Sequence, residues 1–115
     1  MPDPTRFLPL KPVELLVLTM LASGDRHGYG IRQDILEHTE GRVAIEAGNL
    51  YRHLRGLEDD ALVSTVRTPR ETTDERRIYY RLTPFGRRVL AAEMLRLRSL
   101  VQLAEVRGII APVRA

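Results

Sequence analysis

Gly48-Asn49-Leu50-Tyr51-Arg52-His53-Leu54-Arg55-Gly56-Leu57-Glu58 is the stretch on which the fold turns. Leu50, Leu54 and Leu57 recur at i, i+4 and i+7, the spacing of one buried helix face. At about 100° per residue, Leu54 and Leu57 lie within about 40° of Leu50. Gly48, Arg52 and Arg55 fall about 140–200° away, and Asn49 and Tyr51 flank the stripe at about 100° on either side. A helix is expected over residues 47–60. Arginine and asparagine carry the forked donors that match base edges in a major groove. Gly48 leaves room for a phosphate to approach. Glu58, Asp59 and Asp60 would repel phosphate, so the N-terminal half of this helix is the half expected to dock. On a lone helix such arginines would read as a solvated face, and the flanking segments decide between the two readings.

Upstream, Pro12 can open a helix at its first position, where the missing N–H costs nothing. Val13 to Ala22 is apolar except for Glu14 and Thr19, so this helix is expected to be covered on more than one side, in part by a second subunit. Ser23 to Gly28 reads as a turn. A second helix is expected from about Tyr29 to Thr39, with Ile31, Ile35 and His38 near one face and Gly41 as its C′ glycine. Residues 1–9, with three prolines, read as an arm. Downstream, Leu62 to Thr68 and Ile78 to Leu82 read as strands joined by a polar tip, Pro69 to Arg76. Thr83-Pro84 is an N-cap followed by a first-turn proline. A long helix then runs to about Gly108 or Ile110, with a short tail from Ala111.

The element order is helix, helix, helix, strand, strand, helix. It predicts a mainly α (α+β) fold, a winged helix-turn-helix over residues 10–82 with a long C-terminal dimerisation helix over 83–110 and a tail over 111–115. The 115 residues suit one domain, with 43% hydrophobic and 29% charged residues. Net charge is +3, but its placement is more informative than its total. Between Arg67 and Arg88 seven arginines face three acids, a net +4 that leaves the rest of the chain near neutral. Charge gathered on one segment is the footprint of a phosphate-facing surface. Every basic residue but Lys11 is arginine; a GC-rich coding sequence would give the same bias. Arg70, Arg76 and Arg77 are the wing residues expected at DNA, although Glu71, Asp74 and Glu75 oppose them.

Three segments now carry a resemblance. His27-Gly28-Tyr29-Gly30-Ile31 looks like an HGY-type opening of the second helix. Gly48 to Glu58 fits the pattern G-x-L-Y-x-x-L-x-x-L-E. Arg76-Arg77-Ile78-Tyr79-Tyr80-Arg81-Leu82-Thr83-Pro84-Phe85-Gly86 fits R-R-x-Y-Y-x-L-T-x-x-G. In this order, over about residues 10–108, they resemble the PadR family of transcriptional regulators. The resemblance implies a homodimeric repressor, often autoregulatory, released by a small molecule. Two positions depart from the pattern: Asn49 stands where threonine is usual and Asp60 where glycine is usual. The DNA-contacting set expected here is Gly48, Asn49, Tyr51, Arg52, Arg55, Arg70, Arg76 and Arg77. Tyr51 is expected at phosphate and Tyr29 in packing.

Leu90, Met94, Leu97, Val101 and Ala104 are spaced 4, 3, 4 and 3 apart, the seam of a coiled coil. Burying five such side chains is worth roughly 8–12 kcal/mol before association costs. With Leu16 and Met20 of the first helix they form the expected homodimer surface. Double-stranded DNA is the expected partner, read as a near-palindrome with half-sites ~34 Å apart. A small-molecule effector would have to use the dimer interface, where the Met20, Leu97 and Val101 neighbourhood is apolar. The absence of tryptophan, and of any aromatic after Phe85, disfavours stacking of a flat drug there.

Other functions lack their residues. There is no cysteine, and no pair among His27, His38 and His53 has metal-ligand spacing. Ser23, Ser64 and Ser99 sit in no nucleophile pattern, and no glycine-rich phosphate loop is present. No cofactor and no catalysis are expected. No apolar run reaches the ~18 residues of a membrane span, and the N-terminal residues do not resemble a signal peptide; a cytoplasmic protein is expected. The alternative is a winged-helix protein-interaction module that does not bind DNA.

Overall fold

The computed structural model describes residues 2–67 and 78–113. A short 3-10 turn, Pro4–Phe7, precedes α1 (Pro12–Leu21), β1 (Arg26–His27), α2 (Gly28–His38), α3 (Ala47–Asp59), β2 (Val63–Arg67), β3 (Ile78–Leu82) and α4 (Pro84–Val106). The three strands form an antiparallel sheet in the order β1-β3-β2. This is a winged helix-turn-helix with a long C-terminal helix. Leu18, Ile31, Ile35, Leu50, Leu54, Leu57, Leu62 and Val89 are fully buried where α1, α2, α3 and the first turns of α4 meet the sheet. The leucine stripe of α3 thus faces inward, as its spacing requires.

Local chemistry sets the element ends. His27 opens α2 by accepting the Gly30 N–H on Nδ1 at 3.0 Å. With Thr39 as the C-cap of α2, the C′ position falls on Glu40, φ +55, and not on Gly41, which follows at φ +79 and donates its N–H to the Leu36 carbonyl at 2.8 Å. After α3 the left-handed position falls on Ala61, φ +64, while Asp60 remains at φ −87. The asparagine-like tolerance of aspartate for that conformation is therefore not used. Thr83 caps α4 by accepting the Gly86 N–H at 2.8 Å, and its hydroxyl donates to the Ala61 carbonyl at 2.7 Å. Gly86 lies against Leu62: a Cβ there would collide with the Leu62 carbonyl oxygen and lie 2.9 Å from its carbon. That oxygen already accepts the Thr83 N–H at 3.1 Å.

Four sequence readings change. The turn after α1 contains β1, whose Arg26 and His27 pair with Tyr80 and Tyr79 of β3. Residues 1–9 are not a free arm, because Phe7 and Leu8 are apolar enough to dock. Phe7 meets Phe85 edge-on at 5.7 Å, and Phe7, Leu8 and Leu10 pack against the core. Leu90 and Met20, expected in a dimer seam, are buried within the chain at 7% and 9% exposure. The first turns of α4 lie on their own domain, so the heptad spacing spans two environments. Finally, α4 ends at Val106, where Gly108 adopts φ +76 and Ile109 N–H bonds the Ala104 carbonyl at 2.8 Å.

Glu93 is the one charged residue buried among the described ones, at 1% exposure. Arg96 donates to its carboxylate from Nε at 2.6 Å and Nη2 at 3.1 Å, and the Leu10 N–H donates at 2.9 Å. This holds the N-terminal segment on α4. The Arg96 hydrogen bonds draw the Glu93 pKa below its ordinary 4.5 against the opposing effect of burial, and the Leu10 N–H adds to the lowering. A lowered folded pKa means that the contribution is present above the unfolded value and is lost as pH falls through the folded one. Glu93→Ala is expected to cost roughly 1.5–3 kcal/mol at neutral pH. Glu93→Gln should flatten the acid limb of a melting-temperature-against-pH curve. An unchanged acid limb in that variant would show that other carboxylates set it.

Candidate nucleic-acid interface

The buried stripe of α3 fixes what its other side presents. Gly48, Tyr51, Arg52 and Arg55 are exposed and Asn49 is half-buried. A Cβ at Gly48 would meet nothing within 4 Å, so the backbone there is open to a ligand. Arg52 Nη2 donates to Asn49 Oδ1, one turn back. Arg55 makes no hydrogen bond or ion pair among the described residues. Glu46, the N-cap of α3, supplies no side-chain cap, which leaves the positive end of that helix uncovered by a side chain. Glu58, Asp59 and Asp60 are exposed at the other end. From Arg52 to Asp60 the charge thus runs from basic to acidic, with the exposed Glu46 carboxylate at the helix start.

His53, on the inward flank of α3, meets Glu14 of α1 at 3.2 Å and so ties the two helices together. Tyr51 bridges to α2: its ring occupies the space a side chain at Gly28 would need, with the hydroxyl closest. This explains the glycine of the His27-Gly28-Tyr29 segment, because any Cβ would displace Tyr51. Tyr51 remains 42% exposed. Tyr29, expected in packing, is instead 57% exposed and stacks on His27 at 6.3 Å. The first turn of α2 points it away from the leucine core. Tyr80, beneath Tyr51, has its pKa raised, chiefly by burial and then by Tyr51 and Glu58.

At the wing base, Arg81 is exposed and gripped by Asp25 at 2.8 Å, and Arg26 bonds Asp34 at 3.0 Å. Arg32 braces the approach to α3 by donating to the Ile45 carbonyl at 2.8 Å. These braces carried no sequence signal, because each joins residues from different elements. Arg70, Arg76 and Arg77, the expected wing contacts, lie outside the described residues. Leu97 and Ala104 are half-buried, and Met94 and Val101 are exposed on α4. Leu16 is half-buried on α1. Among the described residues no group of three metal-ligating side chains occurs, and no helix is long and apolar enough to cross a membrane.

Known structures share this architecture. A PadR family transcription regulator from Clostridium difficile superposes with TM-score 0.68 at 22% identity, covering 83% of this chain and 96% of that one. Bacillus subtilis PadR, solved in complex with operator DNA, gives TM-score 0.64 at 23% identity over 73% of this chain and 47% of that one. A Streptococcus mutans protein gives TM-score 0.61 at 29% identity over 90% and 91% of the two chains. No curated protein matches the sequence. The model of the transcriptional regulator PadR-like family matches residues 17–92. That span holds the helix-turn-helix, both wing strands and the start of α4, and on it the chain belongs to the PadR-like family of transcriptional regulators.

Proposed function

We propose that the protein is a homodimeric, sequence-specific DNA-binding repressor that works in the cytoplasm. The observation carrying this is the outward face of α3, where Arg52, Arg55 and an unobstructed Gly48 lie opposite the buried leucines, with Asn49 on their flank. That face offers forked donors of the kind a major groove can receive. Tyr51 stands beside it for a backbone contact. Arg70, Arg76 and Arg77 are assigned to the wing contact with the flanking backbone or minor groove. The Bacillus subtilis relative bound to operator DNA supports the same use of the fold.

The homodimer is supported by α4. Beyond Glu93, its Met94, Leu95, Leu100, Val101, Leu103 and Val106 are exposed on a single chain, more apolar surface than an isolated helix keeps in water. A second copy would cover Met94, Leu97, Val101 and Ala104 against the half-buried Leu16 region of α1. A near-palindromic operator follows from that two-fold. A small-molecule effector is assigned to the same apolar interface.

Fluorescence anisotropy with the DNA upstream of the protein's own gene, against scrambled DNA, tests the function. Six to eight arginine–phosphate contacts predict a log–log salt slope of about −5 to −7. Weak, unselective binding would instead favour a protein-interaction module. Arg52→Ala should weaken specific binding by about 1–3 kcal/mol and relax one base position. Equal weakening for specific and scrambled DNA would make Arg52 a phosphate contact.

A further inference from the structure

The side chains of Asn49 and Arg52 are already joined in the free protein: Arg52 Nη2 donates to Asn49 Oδ1. This limits what each can do in a groove. A carboxamide reads adenine with both ends, Oδ1 accepting from N6–H and Nδ2 donating to N7. With Arg52 on one lone pair of Oδ1, only the second lone pair is left for adenine, and Arg52 fixes the direction in which the carboxamide faces. A guanidinium has five N–H donors and needs two for guanine O6 and N7. Asn49 occupies one of them. Four donors remain, on Nε, Nη1 and Nη2, enough for the two that guanine needs.

Arg55, on the same face, has no such partner among the described residues, so the joining is particular to Arg52. The neighbourhood allows the fork to advance. Gly48 adds no bulk beside Asn49, and Arg52 is exposed. A neutral amide acceptor leaves the arginine charge uncancelled, unlike the carboxylates that hold Arg26, Arg81 and Arg96. Restraining a long, rotamer-rich side chain before DNA arrives also lowers the ordering cost of binding.

The geometry points to Asn49 as a positioning residue that sets the Arg52 guanidinium for one guanine, and not as a reader of adenine. This rests on the DNA-reading function proposed above. In the test, wild-type protein selects a site from a randomised pool of duplexes. Affinity is then measured for every single-base-pair substitution of that site with wild type, Asn49→Ala, Asn49→Asp and Arg52→Ala. Wild type should discriminate one G·C pair by about tenfold to a hundredfold. Arg52→Ala should abolish that discrimination. Asn49→Ala should reduce it at the same base pair and leave the others unchanged. Asn49→Asp, which keeps an acceptor oxygen, should preserve the base preference while lowering affinity for every duplex. Loss of preference at a different base pair in Asn49→Ala, or no change in preference, overturns the inference while leaving the DNA-reading function standing. If wild type selects no site, the DNA-reading function falls and takes the inference with it.

Discussion

Gly86→Ala should lower stability by roughly 3 kcal/mol, which for a chain this small moves the melting midpoint down by roughly 10 °C or more. The added methyl would meet the Leu62 carbonyl, which has nowhere to retreat. It is fixed from one side by the Thr83 N–H, and the next residue, Val63, is paired with Leu82. Relief would require moving the start of α4 off the end of β2. The control is Gly56→Ala, mid-helix on α3 with nothing within 4 Å of the new Cβ. There the substitution should be neutral or stabilising by up to about 1 kcal/mol. Thermal and urea melts of the two variants give the comparison. A Gly86→Ala protein that melts with the wild type would mean the helix and strand do not approach so closely.

Val101→Arg should weaken self-association by about a thousandfold, because the proposed two-fold homodimer would bury an unpartnered cation from each subunit. Val101 is 45% exposed on the single chain, so the substitution leaves the chain's own core intact. Leu90→Arg should behave differently and unfold the domain itself, since Leu90 is already buried within the chain. Sedimentation velocity beside far-ultraviolet circular dichroism separates the two outcomes. A Val101→Arg protein that still sediments as a dimer would move the interface elsewhere.

The legible parts of the sequence were those governed by a period or a cap. Leu50, Leu54 and Leu57 announced both the inward side of α3 and, by helix geometry, the outward face with Arg52 and Arg55. Thr83-Pro84 marked the start of α4, and Ile78–Leu82 was delimited residue for residue. What escaped notice depends on distant partners. β1 has two residues, too few for any alternation, and exists because β3 offers it a free edge. Nothing in the sequence sets Glu93 apart from the other charges of α4, and Leu10 and Arg96 are what hold it as a buried one. The heptad of α4 was real as spacing, but spacing does not say whether its own domain or another chain covers each position, and Leu90 went to the domain. At the site, the same face held the Asn49–Arg52 hydrogen bond and the Tyr51–Gly28 contact, which depend on rotamers rather than positions.

The central place of β3 in the sheet has a mechanical consequence. A hairpin of β2 and β3 alone could rock about its base. Here β1 stitches the other edge of β3 to the residues that begin α2, and His27 both caps α2 and meets Tyr79 edge-on at 5.2 Å. The base of the wing and the helix-turn-helix therefore turn together as one stiff piece. In the proposed complex, the offset between α3 and the base of the wing would then be fixed before DNA is met. If both α3 and the wing meet DNA as proposed, the elastic work of matching that offset falls on the duplex, and operators with readily bent pyrimidine–purine steps should bind more tightly than those with stiff A-tracts.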